Sequence, residues 1–119
     1  MKSYLAIICI LICAVASADE SKAWKLVWAD EFNTDGKPNP KNWIYEKGFV
    51  RNHELQWYQQ DNAFCEKGRL MIEGRRERKA NPNYKKGSNK WQQQRPFAKY
   101  TSSSIKTKGL HTWKYGRFV

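Results

Sequence analysis

The segment Arg51-Asn52-His53-Glu54-Leu55-Gln56-Trp57-Tyr58 sets an amide, a carboxylate, a second amide and a phenol at every other position. On an extended strand alternate side chains share a face, about 7 Å apart. Asn52, Glu54, Gln56 and Tyr58 are therefore expected on one side, with His53, Leu55 and Trp57 on the other. Sugar hydroxyls both donate and accept hydrogen bonds, and a row of such groups answers both needs. The pattern points to polysaccharide binding, with a polar layer that positions neighbouring strands as the competing use. Trp57, on the opposite side, is expected in the core.

A run of short strands separated by turns must position these groups. Trp24 to Phe32 alternates through Trp24, Leu26 and Trp28, and Trp43 to Glu46 follows the turn chemistry of Asn33-Thr34-Asp35-Gly36-Lys37-Pro38-Asn39-Pro40. After the Asn52–Tyr58 segment, Asp61 to Cys65 leads through the turn Glu66-Lys67-Gly68 to an alternating Arg69–Glu73. Lys79 to Phe97 reads as a long polar loop; Tyr100 to Lys106 and Trp113 to Val119 read as further strands. No stretch after residue 18 holds a helical period, so the expected class is an all-β sandwich or barrel.

The first residues set the expected compartment. Met1-Lys2-Ser3 is basic, Tyr4 to Val15 is apolar, and Ala16-Ser17-Ala18 has the small-x-small form of a cleavage site. The apolar run falls short of the roughly 20 residues of a spanning helix. Residues 1–18 are thus expected to be a secretory signal peptide and 19–119 a single domain, secreted or, in a bacterium, periplasmic. Cys9 and Cys13 leave with the signal, so Cys65 remains alone, without an internal disulfide; it is expected as a small buried apolar group, the alternative being a partner outside this chain. The chain carries 22 Lys and Arg against 11 Asp and Glu. Much of the excess lies between Arg69 and Arg95, a surface that attracts anionic polymers or stays solvated as a loop. Nucleic acid and, after signal cleavage, membrane are not expected partners.

The order of these pieces resembles glycoside hydrolase family 16, in its laminarinase and β-glucanase branch. The resemblance rests on Trp28-Ala29-Asp30-Glu31-Phe32, Trp43, Asn52-x-Glu54-x-Gln56-x-Tyr58, Asn62 and Gly68-x-Leu70-x-Ile72. It continues through Tyr100-Thr101-Ser102, Ile105-x-Thr107, Gly109 and Tyr115-Gly116-Arg117-Phe118. It implies a concanavalin A-like jelly-roll of two curved antiparallel sheets with a glucan cleft on the concave face, monomeric at full length. Asn52 matches a position that hydrogen-bonds sugar in similar enzymes. A structural calcium ion, held in some members through backbone carbonyls, would fall at Glu31 and Gly68 here; no other cofactor is implied. Trp28 and Phe32 match positions that close the sandwich.

The chain departs from the family at the reacting carboxylates. Cleavage with retention needs two carboxyl groups about 5–5.5 Å apart, which the family sets on a Glu-Ile-Asp-Ile-x-Glu strand. That pattern does not occur here. Asp30 and Glu31 are adjacent and point apart, and Glu73 and Glu77 flank the basic Gly74-Arg75-Arg76, so no catalytic residue is expected within the chain. The sandwich is expected to be incomplete, lacking its C-terminal half, with poor solubility and no catalysis from this polypeptide alone. Ser104 stands where many relatives carry an Arg. Two alternatives accompany the glucanase reading: a non-catalytic β-glucan-recognition protein of the same fold, and a small secreted cationic protein that binds anionic polymers.

Overall fold

The computed structural model describes residues 24–119, so the signal segment, Cys9 and Cys13 lie outside it. Eight short strands follow one another: β1 (Ile44–Tyr45), β2 (Gln56–Tyr58), β3 (Ala63–Glu66), β4 (Arg69–Ile72), β5 (Lys79–Ala80), β6 (Phe97–Ala98), β7 (Tyr100–Ser102) and β8 (Ile105–Lys106). Single turns of 3-10 helix at Gln60–Asn62 and Trp91–Gln93 are the helical elements among the described residues.

The β3–β4 hairpin follows directly from its sequence. Ala63 and Cys65 alternate inward, and Lys67 and Gly68 both take positive φ, 51° and 70°. Two such residues make the tight turn whose twist matches the flanking strands, giving the register Ala63↔Ile72 to Glu66↔Arg69. Asp35 fixes this turn by accepting the Lys67 N–H, while Gly36 pairs with Cys65. Cys65 is buried there, as a small apolar residue would be.

The other pairs join distant segments: β1 with β8 and β5 with β6, both antiparallel, and β2 with β7. The last pairing is parallel, with Gln56 opposite Tyr100 and Tyr58 opposite Ser102. This corrects the expectation of purely antiparallel sheets. The excursion from Gln59 to Lys99 supplies the crossover that parallel neighbours require.

Where the sequence suggested a strand over Asn52–Tyr58, only Gln56–Tyr58 is one. Asn52 and His53 take φ of 54° and 53°, and the Glu54 N–H closes back on the Arg51 carbonyl. Asn tolerates this left-handed conformation better than most residues, and a turn there takes Asn52 and Glu54 off the strand. Trp24–Phe32 and Trp113–Val119 likewise form no ladder.

The core is small, as the polar composition implied. Phe49, Trp57 and Ala98 form it, with Trp91 packed against them. The Trp57 ring passes so close to Gly48 that a Cβ there would sit 3.4 Å from it. A second aromatic group gathers Trp28, Trp43, His111 and Trp113, with Trp28 5.0 Å from Trp113 and 5.9 Å from Trp43. Phe32 stacks on Trp43, so Trp28 and Phe32 do the packing expected of them. Asp30 anchors this group by accepting from Asn42 Nδ2, Trp43 Nε1 and the Phe32 N–H. Burial pushes its carboxyl up, but the three hydrogen bonds outweigh that and hold it below the usual carboxylate range.

The polar loop is a built unit. β5 and β6 pair Lys79 with Ala98 and Ala80 with Phe97. Asn81, buried, donates to the carbonyls of Gln92 and Arg95 and accepts the Asn83 N–H. Ser88 ties to Gln93. Periodicity carries no trace of such organisation, because one buried amide rather than an apolar face supplies it.

Candidate functional site

Gln56 and Tyr58 share one face of β2, and Trp57 fills the core behind them. Gln56 Nε2 donates to Tyr58 Oη at 2.9 Å. The parallel register sets Tyr100 and Ser102 of β7 beside them, and Gln56, Tyr100 and Ser102 line an open depression of about 450 Å³ with Gly74, Arg75 and Arg76. A second depression of about 520 Å³ lies beyond Tyr100, lined by Leu55 and the Arg95–Lys99 segment. Tyr100 belongs to both and is 40% exposed. A half-exposed tyrosine ring beside amide and phenol groups offers a sugar both an apolar face and directional hydrogen bonds.

Asn52 is exposed on the turn before β2. Glu54 is half-buried, and its Oε2 has no hydrogen-bond partner among the described residues. The four residues read from alternation therefore divide into a strand pair, Gln56 and Tyr58, and a turn pair, Asn52 and Glu54.

Glu46, which the sequence did not single out, is the most heavily engaged carboxylate. It follows β1 and accepts from Arg51, from Ser104 Oγ at 2.8 Å and from Lys106 Nζ at 3.1 Å. Arg51 also lies 5.8 Å from the centre of the Tyr58 ring, which links this cluster to the β2 face. Ser104, where many relatives have Arg, is spent on Glu46. The Arg51 guanidinium, then the Ser104 hydroxyl and the Lys106 ammonium, hold the Glu46 carboxyl down at about 2, against the usual 4.5 and against burial.

A depressed folded pKa stabilises fully above the unfolded value and is lost as the pH falls through the folded one. Arg51 is 43% exposed on its side chain, so water weakens the pair, and the expected loss between about pH 5 and pH 2 is on the order of 1–2 kcal/mol. Urea midpoints across that range should fall in the wild type, and Glu46→Gln should remove this part of the slope. An unchanged slope in Glu46→Gln would refute the assignment.

Glu73 and Glu77 face separate partners. Glu73 pairs with Arg75 at 2.6 Å, and Glu77 accepts from Thr101 and from Gln59. Near the hairpin turn, the Glu31 carbonyl and Asn33 Oδ1 lie 4.0 and 3.6 Å from the point where a Cβ on Gly68 would stand. Glu31 and Gly68, paired on resemblance alone, are thus neighbours, and hard oxygen donors of this kind suit calcium.

No family model matches the chain. It is 35% identical over 108 residues to a β-glucanase of Rhodothermus marinus, covering 85% of this chain and 32% of that protein. Among solved structures, it superposes on one from work on endo-acting O-glycanases that prominent members of the human gut microbiota express to initiate mucin breakdown. The TM-score is 0.69 at 38% identity, over 78% of this chain and 34% of the other. A non-specific endo-β-1,3(4)-glucanase from family GH16 gives 0.58 at 35% identity, over 78% and 35%. The strands above are thus part of a jelly-roll β-sandwich, left incomplete here. Over most of its length the chain is thus similar to glycoside hydrolase family 16 enzymes, laminarinases and endo-β-glucanases among them, and it spans about a third of the length of these relatives.

Proposed function

We propose that this chain forms the glucan-binding N-terminal part of a secreted endo-β-glucanase that cleaves a β-1,3-glucan-like polysaccharide with retention. The observation that carries the reading is the Gln56–Tyr58 pair, joined at 2.9 Å and set beside Tyr100, in a chain whose relatives are endo-β-1,3-glucanases. In this reading Gln56, held by the hydroxyl of the buried Tyr58, orients sugar hydroxyls, Tyr100 stacks on a ring, and Asn52 and Glu54 reach the same sugar from the preceding turn. The Glu-x-Asp-x-Glu pair that retention needs does not occur within this chain. Secretion through residues 1–18 fits a polymeric substrate that does not enter cells.

Titration of the full chain with laminarin, followed by tryptophan fluorescence, tests the binding. Saturable binding is expected, weakened about fivefold to tenfold in Gln56→Ala, the effect of roughly one hydrogen bond. Absence of binding to any β-1,3-glucan by folded chain would overturn it. The reading frame after the Val119 codon separates enzyme from recognition protein: a Glu-x-Asp-x-Glu strand supports hydrolysis, and a frame continuing without one supports recognition alone.

Calcium at Glu31 and Gly68 is part of the same proposal, with Asn33 as a further oxygen donor. Its expected signature is a rise in melting temperature on adding calcium that EDTA reverses; no shift would remove it.

A further inference from the structure

Four basic residues, Arg75, Arg76, Arg95 and Lys99, line the two depressions that meet at Tyr100. Between Arg75 and Lys99 nine Lys and Arg accompany one acid, Glu77. That acid is engaged by Thr101 and Gln59, and Arg75 is neutralised by Glu73. Arg76 and Lys99 have no ion-pair partner among the described residues, and they lie on opposite sides of Tyr100, one in each depression. Arg95, in the second depression, is held rigidly. It stacks 4.5 Å from the Phe49 centroid and 5.7 Å from that of Trp91, and donates to the His53 carbonyl. The Asn81-centred unit fixes the segment that carries it.

From this arrangement we infer that the groove over Tyr100 takes a glycan bearing anionic groups, sulfate esters or carboxylates, with Arg76 on one side and Arg95 and Lys99 on the other. The inference rests on the carbohydrate reading above and deepens it. A neutral glucan needs the tyrosine face and the amide of Gln56 but gives unpaired guanidinium and ammonium groups nothing to bind. An anionic glycan uses both, through charge-assisted hydrogen bonds that are roughly twice as strong as neutral ones. The furanose sugars of a nucleic acid spend their 3′ and 5′ oxygens on phosphodiester bonds and offer the Gln56–Tyr58 pair at most one free hydroxyl each, which is why a glycan is favoured over nucleic acid.

The test compares laminarin, sulfated laminarin, carboxymethyl-laminarin and single-stranded DNA as ligands of the full chain, in wild type and in Arg76→Gln/Lys99→Gln. At low ionic strength the charged laminarins should bind about tenfold tighter than laminarin, the factor expected of one charge-assisted contact. Added salt should shrink that advantage. The double variant should cut it to what Arg95 alone sustains and leave the affinity for laminarin unchanged. Arg76→Glu/Lys99→Glu should reverse the preference, which guards against a variant that fails to fold. Tighter binding of the sulfated polymer identifies sulfate esters as the group, and tighter binding of the carboxymethyl polymer identifies carboxylates.

Equal affinity for neutral and charged laminarin overturns the inference and leaves the glucan reading standing. So does an advantage undiminished in the double variant, or DNA binding as tight as the charged glycans. Binding to the charged laminarins alone supports the inference while removing neutral glucan as substrate. Binding to none of the polymers overturns both.

Discussion

Trp57→Ala should cost about 3–5 kcal/mol of stability, the range for deleting a buried aromatic side chain. That is a large share of the roughly 5–15 kcal/mol by which domains are stable, and here the core is unusually small. Trp57 is 3% exposed and meets Phe49 edge-on at 5.4 Å. With Phe49 and Ala98 it makes up the buried apolar cluster, which Trp91 flanks. The alanine variant leaves a cavity that Gly48, which has no side chain, cannot fill. Loss of near-UV circular dichroism and of a cooperative urea transition is the expected result, with Trp57→Phe intermediate. Wild-type cooperativity in Trp57→Ala would mean that the cluster is not the core.

Asn62 is the second position with a large expected effect, and it acts through polar bonds. It is fully buried at 0% exposure, and its amide nitrogen donates to the Glu73 carbonyl and to Thr101 Oγ1, each at 3.0 Å. Its Oδ1 accepts from Gln59 at 2.8 Å. One side chain thus ties the 3-10 turn to the residue after β4 and to β7. Asn62→Ala strands these partners and should cost about 2–4 kcal/mol, since each buried group left unpaired costs about 1–3. Asn62→Asp should be worse at neutral pH, because an ionised carboxylate cannot donate to the Glu73 carbonyl and Glu77 lies on the same Thr101 hydroxyl. Protonation near pH 4 gives back one donor, so the aspartate variant should gain on the wild type as the pH falls towards 4. A neutral-pH stability equal to that of wild type would dismiss the network.

What was legible in the sequence was local. The Lys67-Gly68 turn, the alternating Ala63–Ile72 hairpin and the inward side of Trp57 each follow from spacing or from the φ that a residue tolerates. The Gln56–Tyr58 pair was legible for the same reason. Alternation, however, says which residues share a face only once a strand is granted, and Asn52 and His53 leave the strand through a left-handed turn. Asn52 was a signal for that turn, while its histidine neighbour gave little warning. Glu46 stayed hidden because its partners Ser104 and Lys106 lie across the β1–β8 pairing, beyond the reach of any local pattern. The parallel β2–β7 register and the Asn81-centred unit were hidden likewise, set by distant backbone and by a single amide.

The pairings carry a consequence for how the polypeptide emerges from the ribosome. Of the four ladders, the hairpin from Ala63 to Ile72 alone joins near neighbours, whereas β1 waits for β8 and β2 waits for β7. Contacts so far apart in the chain close slowly. Nascent chains halted before Tyr100 should therefore hold the hairpin and at most the Asn81-centred unit, with the Gln56 strand still unpaired and open to chaperones.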